Sequence, residues 1–424
     1  MSPPHPRTSP LRTNIAAMSA VQLGNYVLPL ITLPYLTRVL GAETFGRVAF
    51  AQILMSYLLL LVDYGFSWSA TRAVAAHRND PDKISRIFTA NWAAQWLLLA
   101  LAMAIAVLTI LLSDRLRPDA WLYAAAFTSV IGGALFPIWL LQGLERLEVV
   151  ATLQLVTRVL ALPAIFLMIA GPADGIWLLL INGIASILSG VAALAWLWRE
   201  RVVRWAWPGW LELLDAIREG APLFASRISI SLYTTLVPLI LGWVAGPVAL
   251  GFFHLADKLR SAGQALLSPI SQALFPRLSH LANTDGPAAF QLVRRSAVAT
   301  TLIGGMSSGA LWLLADWFVL LLGGTEFRPA AAVLRLLAPL PLIIGLSNLL
   351  GVQIMLPRGL NAAFNGILST AAATSLALIW PMATQWGAEG AAATILLVEL
   401  MVTLCMAAML WHRGLLKPDT WRTS

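Results

Sequence analysis

Apolar runs of about twenty residues, parted by short polar connections, recur along the whole chain. A helix needs roughly 20 such residues to cross the hydrocarbon of a bilayer. On that rule the pattern predicts spans at about residues 14–36, 47–66, 88–112, 119–141, 150–170, 175–198, 221–245, 249–272, 296–322, 329–356, 361–385 and 388–412. The expected fold class is an all-α membrane protein of about twelve transmembrane helices. Residues 221–260 repeat an arrangement seen near the N-terminus: apolar run, mid-run proline (Pro238; Pro29 and Pro34), glycine turn (Gly246 to Gly251; Gly41 to Gly46), apolar run. That echo predicts two related six-helix bundles, 14–198 and 221–412, around a central cavity.

The polar remainder fits this division. Residues 1–13 (MSPPHPRTSPLRT) are proline-rich and too poor in apolar residues for a cleaved signal peptide; they and 413–424 are read as cytoplasmic tails, the first disordered. Residues 199–220 form a cytoplasmic linker. In it Trp205, Trp207 and Trp210 join Leu211, Leu213, Leu214 and Ile217 among charged residues, a pattern that suits a short helix lying at the interface.

Charge fixes the orientation. With both termini inside, the cytoplasmic connections carry Arg72, Arg78, Lys83, Arg86, Arg146, Arg199, Arg201, Arg204, Arg218, Arg277, Arg294, Arg295 and Arg358. The opposite face carries only Arg38, Arg47, Arg115, Arg117 and Arg328. The net charge of +8 is thus a topology signal; no aromatic-interleaved basic patch points to nucleic acid. Composition agrees, with 59% hydrophobic and 11% charged residues against roughly 45–50% and 25% in soluble domains.

Proline and glycine inside the spans mark kinks or joints, and Gly242 to Gly246 and Gly305 to Gly309 fit GxxxG close-packing steps. Cys405 stands alone in an apolar run, a small packing residue that excludes a disulfide framework. No Walker A, HExxH or GxSxG pattern occurs, and His5, His77, His254, His280 and His412 do not pair at metal-ligand spacing, so neither enzyme chemistry nor a cofactor is expected.

Four stretches carry a family resemblance: LPLITLPYLTRVLGAETFGRVAF from Leu28, GFSWSATR from Gly65, FPIWLLQGLERL from Phe136 and ADKLRSAGQALLSPISQALFPRLS from Ala256. In this order they resemble the polysaccharide flippases of the O-antigen translocase (Wzx) type, in the multidrug/oligosaccharidyl-lipid/polysaccharide exporter superfamily. The resemblance implies an inner-membrane protein that moves undecaprenyl-pyrophosphate-linked oligosaccharide repeat units from the cytoplasmic to the periplasmic leaflet. It implies surface-polysaccharide (O-antigen, capsule or exopolysaccharide) synthesis, alternating access coupled to a cation gradient, and a polysaccharide polymerase and chain-length regulator as partners.

Cations sunk in apolar spans suit such an anionic head group, because a charge at that depth is expected to face a wet interior. Lys258 is the first candidate for the pyrophosphate, followed by Arg227, Arg158, Arg260 and Arg335; Asp257 stands where it can neutralise Arg260. Arg38 and Arg72, at helix ends, are assigned to topology. Sugars need amide and hydroxyl partners, for which Asn25, Asn91, Gln95 and Asn348 are candidates, and the intramembrane acids Glu399 and Asp63 are candidates for ion coupling. Two alternatives stay open. A multidrug/cation antiporter of the same superfamily would not need several intramembrane cations; a membrane polysaccharide polymerase or ligase would need a sizeable periplasmic loop.

Overall fold

A computed structural model describes residues 11–204, 207–267, 278, 281 and 286–415; of 11–27, 226, 229, 230 and 232–234 only the backbone is described. The secondary structure among the described residues is helical throughout. In chain order come α1 (Leu11–Asp63), α2 (Phe66–Ala76), α3 (Pro81–Leu112), α4 (Ala120–Leu135), α5 (Ile138–Gly143), α6 (Leu147–Met168) and α7 (Gly175–Arg199). There follow α8 (Trp210–Thr234), α9 (Leu236–Ala265), α10 (Gly286–Leu313), α11 (Ala315–Gly323), α12 (Ala330–Leu337), α13 (Leu340–Asn348), a π-helical segment (Leu349–Met355) and α14 (Asn361–His412).

Two of these are too long for one crossing. At about 1.5 Å per residue a helix of more than fifty residues would run roughly 75–80 Å, over twice a bilayer core. Each is broken by a glycine in a backbone region closed to other residues: Gly41 (φ 71, ψ 171) in α1 and Gly387 (φ 54, ψ −127) in α14. Gly246 (φ 87, ψ 177) breaks α9 in the same way. Dividing at these three glycines, and joining pieces that continue one another, gives about twelve crossings among the described residues. The protein is an all-α, multi-pass membrane protein.

The chain forms two compact units, one of Met1–Leu40 with Phe50–Ile228 and the other of Gly41–Ala49 with Ser229–Ser424. In the first, Phe66, Phe88, Trp139, Leu140, Leu141 and Leu197 are buried together. Its tightest seam is α4 against α7, where a Cβ on Gly190 would stand 2.6 Å from that of Leu135, and one on Gly132 or Gly183 would run into Ser186 or Thr128. Small residues let membrane helices approach this closely. In the second unit Val293, Met355, Val398, Val402 and Met406 form the apolar centre.

The segment Gly41–Ala49 belongs to the second unit for visible reasons. Glu326 accepts the Ala42 N–H at 2.8 Å, and Phe45 lies edge-on to the fully buried Phe327, ring centroids 5.8 Å apart. Gly46 faces the carbonyl of Pro247, and Gly251 the carbonyl of Ala42, so tightly that neither position has room for a Cβ. The two glycine turns recognised as a repeat are therefore packed reciprocally against each other.

Three expectations need correction. The helix expected to lie at the interface is instead the opening of α8, continuous to Thr234; Leu213, Ala216 and Ile217 pack on the first unit's core, so its apolar face is satisfied by protein. Trp207, Trp210 and Leu211 are exposed, and Trp205 lies outside the described residues. Gly246, Gly305 and Gly309 have open space where a Cβ would stand, so they are not close-packing steps; Gly304 is the one pressed on Leu342. Cys405 is exposed on α14 rather than packed inside.

Candidate substrate and ion-coupling sites

In the first unit the chain leaves α1 through Tyr64 (φ 44) and Gly65 (φ 81). This break fits against α8 at close quarters: a Cβ on Gly65 would stand 2.9 Å from that of Leu223, one on Gly220 2.7 Å from the Tyr64 carbonyl, and Tyr64 stacks on Phe224 at 4.7 Å. The result is to set Asp63 beside Arg227, one helical turn farther along α8. The guanidinium donates to Asp63 Oδ2, the Ser67 hydroxyl donates to Asp63 Oδ1, and Arg227 Cζ lies 5.8 Å from the centre of the Trp68 ring. Two residues assigned from sequence to different tasks, phosphate contact and ion coupling, form a single ion pair.

Arg158 has a different setting. On α6, Ala151 and Ile165 stand seven residues to either side of it, near the same face, and both are buried, as is Ala161. Arg158 is nonetheless exposed and makes no hydrogen bond or ion pair among the described residues.

In the second unit the charged residues lie on the later turns of α9. Asp257 accepts from Arg260 Nε at 2.7 Å, and Arg260 also reaches the Ser261 hydroxyl at 3.0 Å. His254, one turn before Lys258, packs its ring against Phe45 at 5.5 Å. Lys258 projects from the opposite side of the helix from Arg260, is exposed, and makes no hydrogen bond or salt bridge among the described residues. Arg335 is tied to Asp316 in an exposed ion pair, so the role of a free anion contact at the end of α12 is not what its surroundings display.

The amides divide likewise. Asn91 is buried and donates to Ile87 O at 2.8 Å within its own helix, and buried Gln95 accepts from Trp139 Nε1 at 3.2 Å. Asn91 thus spends a donor within its own helix, whereas Gln95 ties α3 to Trp139 of α5. Asn348 is half-buried without a hydrogen bond among the described residues; the side chain of Asn25 lies outside the described residues. No cluster of three His, Cys, Asp or Glu side chains able to hold a metal occurs among the described residues. Sequence reasoning missed Glu326, whose partner lies 284 residues away, Asp316, paired across 19 residues with Arg335, and Trp68, which stood in a quoted motif without a role.

Residues 11–282 match the family described as polysaccharide biosynthesis protein. The chain is 34% identical over 411 residues to the "Putative O-antigen transporter" of Escherichia coli (strain K12), covering 96% of this chain and 98% of that one. The chain belongs to the polysaccharide biosynthesis protein family. Another relative, the "Putative O-antigen transporter" of Shigella dysenteriae, is 28% identical over 93% of this chain and 99% of its own. Among solved structures the fold is shared with the lipid II flippase MurJ in an inward closed conformation (TM-score 0.75, 12% identity, 96% of this chain and 88% of that one). It is shared also with an inward-facing multidrug resistance MATE family transporter (TM-score 0.63, 13% identity, 97% and 99%). Family members of this kind are membrane transporters, and the chain is one of them rather than an enzyme.

Proposed function

We propose that the protein is a flippase of the bacterial inner membrane that carries undecaprenyl-pyrophosphate-linked oligosaccharide repeat units from the cytoplasmic to the periplasmic leaflet, with both termini cytoplasmic. The observation that carries this reading is a pair of cations, Arg158 in one unit and Lys258 in the other, each within a membrane-crossing helix and each without a salt bridge or hydrogen bond among the described residues. An isolated charge in that setting costs roughly 2.5–3.5 kcal/mol on insertion scales. A lipid-linked pyrophosphate is the anion that repays it, and it needs such groups in place of water. The end-to-end similarity to proteins named as O-antigen transporters supports the same substrate class.

Arg227, Arg260 and Arg335 enter this reading differently, since each already holds a carboxylate and must exchange it for phosphate to take part. Transport proceeds by alternating access, and Glu399 of α14 is the candidate for cation coupling.

The test is complementation of a strain lacking its own copy, scored by surface polymer at matched protein level. Lys258→Gln and Arg158→Gln each cut polymer to under about a tenth, whereas Arg335→Gln leaves it near the parental amount. Normal polymer with both inner substitutions removes the anion-binding assignment, and drug efflux without polymer would favour an exporter.

A further inference from the structure

One exposed aromatic side chain has surroundings that the proposed transport role leaves unused. Trp68 is 51% exposed, on the first turns of α2. Other tryptophans of this chain are exposed as well; the company of Trp68 is ionic. Arg227 covers its ring at 5.8 Å. Asp63, held by Arg227 and by the Ser67 hydroxyl, belongs to the same cluster. One turn beyond Trp68, on the same side of α2, Arg72 is exposed and makes no ion pair among the described residues. Acyl chains do not solvate such a group, whereas a head group with both charge and hydroxyls does.

We infer that Trp68, Arg72, Asp63 and Arg227 form a reception site for a sugar diphosphate, at the end of α1 that the proposed topology makes cytoplasmic. The inference rests on the flippase reading and adds to it a place and a division of labour. The uncovered part of the indole stacks on the apolar face of the first sugar, as flat aromatic surfaces do with ring C–H groups. Asp63 accepts sugar hydroxyls, and Ser67 adds a donor. Arg72 and Arg227 flank the ring, and their donors match a diphosphate, two linked anions, better than a single phosphate. A phosphate that captures Arg227 frees Asp63 for the sugar, so the existing ion pair keeps both groups preorganised without blocking either. The close fit of the Tyr64–Gly65 break against α8 holds the cluster in place.

The probes are farnesyl diphosphate, bare and carrying one N-acetylglucosamine, titrated calorimetrically against the full-length protein in nanodiscs. Trp68→Leu keeps an apolar side chain at the interface but removes the ring face; it weakens the glycosylated probe roughly fivefold to tenfold, the worth of about one stacking contact, and leaves the bare diphosphate within about twofold. Trp68→Phe retains most of the sugar-dependent gain and guards against a folding defect. Arg72→Gln weakens both probes alike. An unchanged ratio between the probes in Trp68→Leu overturns the stacking site while leaving the flippase reading intact, and shows an interfacial anchor. A wild-type protein that binds neither probe overturns both readings.

Discussion

Whether a membrane cation is bound to a carboxylate decides what its removal does. Asp257 and Arg260 are one turn apart on α9, with side chains 32% and 16% exposed, and their 2.7 Å bond offsets the cost of holding either charge there. Arg260→Gln leaves Asp257 without its ion-pair partner, and is expected to lower stability by about 1–3 kcal/mol, the cost of orphaning a partly buried charged group. Asp257→Asn combined with Arg260→Gln removes both members and recovers most of that loss. Lys258→Gln, with no bond to break, leaves the thermal transition in detergent near the parental value. Melting of the four proteins measures this directly: a double variant no more stable than Arg260→Gln alone would mean that the pair does not hold α9 together.

Among the elements, the reciprocal crossing of the two glycine turns is the feature with the least slack. Gly46→Ala and Gly251→Ala each force a methyl onto a backbone carbonyl, of Pro247 or Ala42, that cannot swing aside as a side chain would. Overpacking of this kind costs roughly 1–3 kcal/mol. Once one change has parted the segments the second meets a wider gap, so the double variant costs less than the sum. Gly305→Ala and Gly309→Ala face open space and gain up to about 1 kcal/mol of helix propensity. Thermal melting of these variants separates the two classes. Much of this level was legible in the sequence, and for a definite reason. Membrane-crossing helices announce themselves by length and apolarity, and Gly41 and Gly246 by their place in a repeat. Spacing alone does not say which face of a helix a glycine occupies, which is why the Gly305–Gly309 step was misassigned. Nor does it say which distant carboxylate an arginine will meet: Asp63 and Arg227 are 164 residues apart and are joined only by the fit of Tyr64 and Gly65 against α8.

For the whole molecule, the proposed topology of twelve crossings puts every odd-numbered connection on one side and every even-numbered one, richer in arginine and lysine, on the cytoplasmic side. In that topology the three glycine breaks at Gly41, Gly246 and Gly387 and the Glu326 contact fall on the odd side. That arrangement makes a prediction at the scale of the entire chain. Cys405 is the one native cysteine, so Cys405→Ser gives a blank background. In it Asn79→Cys and Glu200→Cys react with a membrane-impermeant maleimide only after the inner membrane is opened, whereas Asp114→Cys and Thr325→Cys react in cells with a permeabilised outer membrane alone. All four positions lie in connections, where a small side chain costs little and thiols ionise freely. Reversal at all four would invert the protein and place the Trp68 cluster on the receiving side, incompatible with loading from the cytoplasm. Reversal at Thr325 alone would mean that the number of crossings between Glu200 and Thr325 is off by one and that α8 and the first turns of α9 do not make a single span. Labelling as predicted would set Asp63, Trp68, Arg72 and Arg227 where a lipid-linked sugar made in the cytoplasm first arrives.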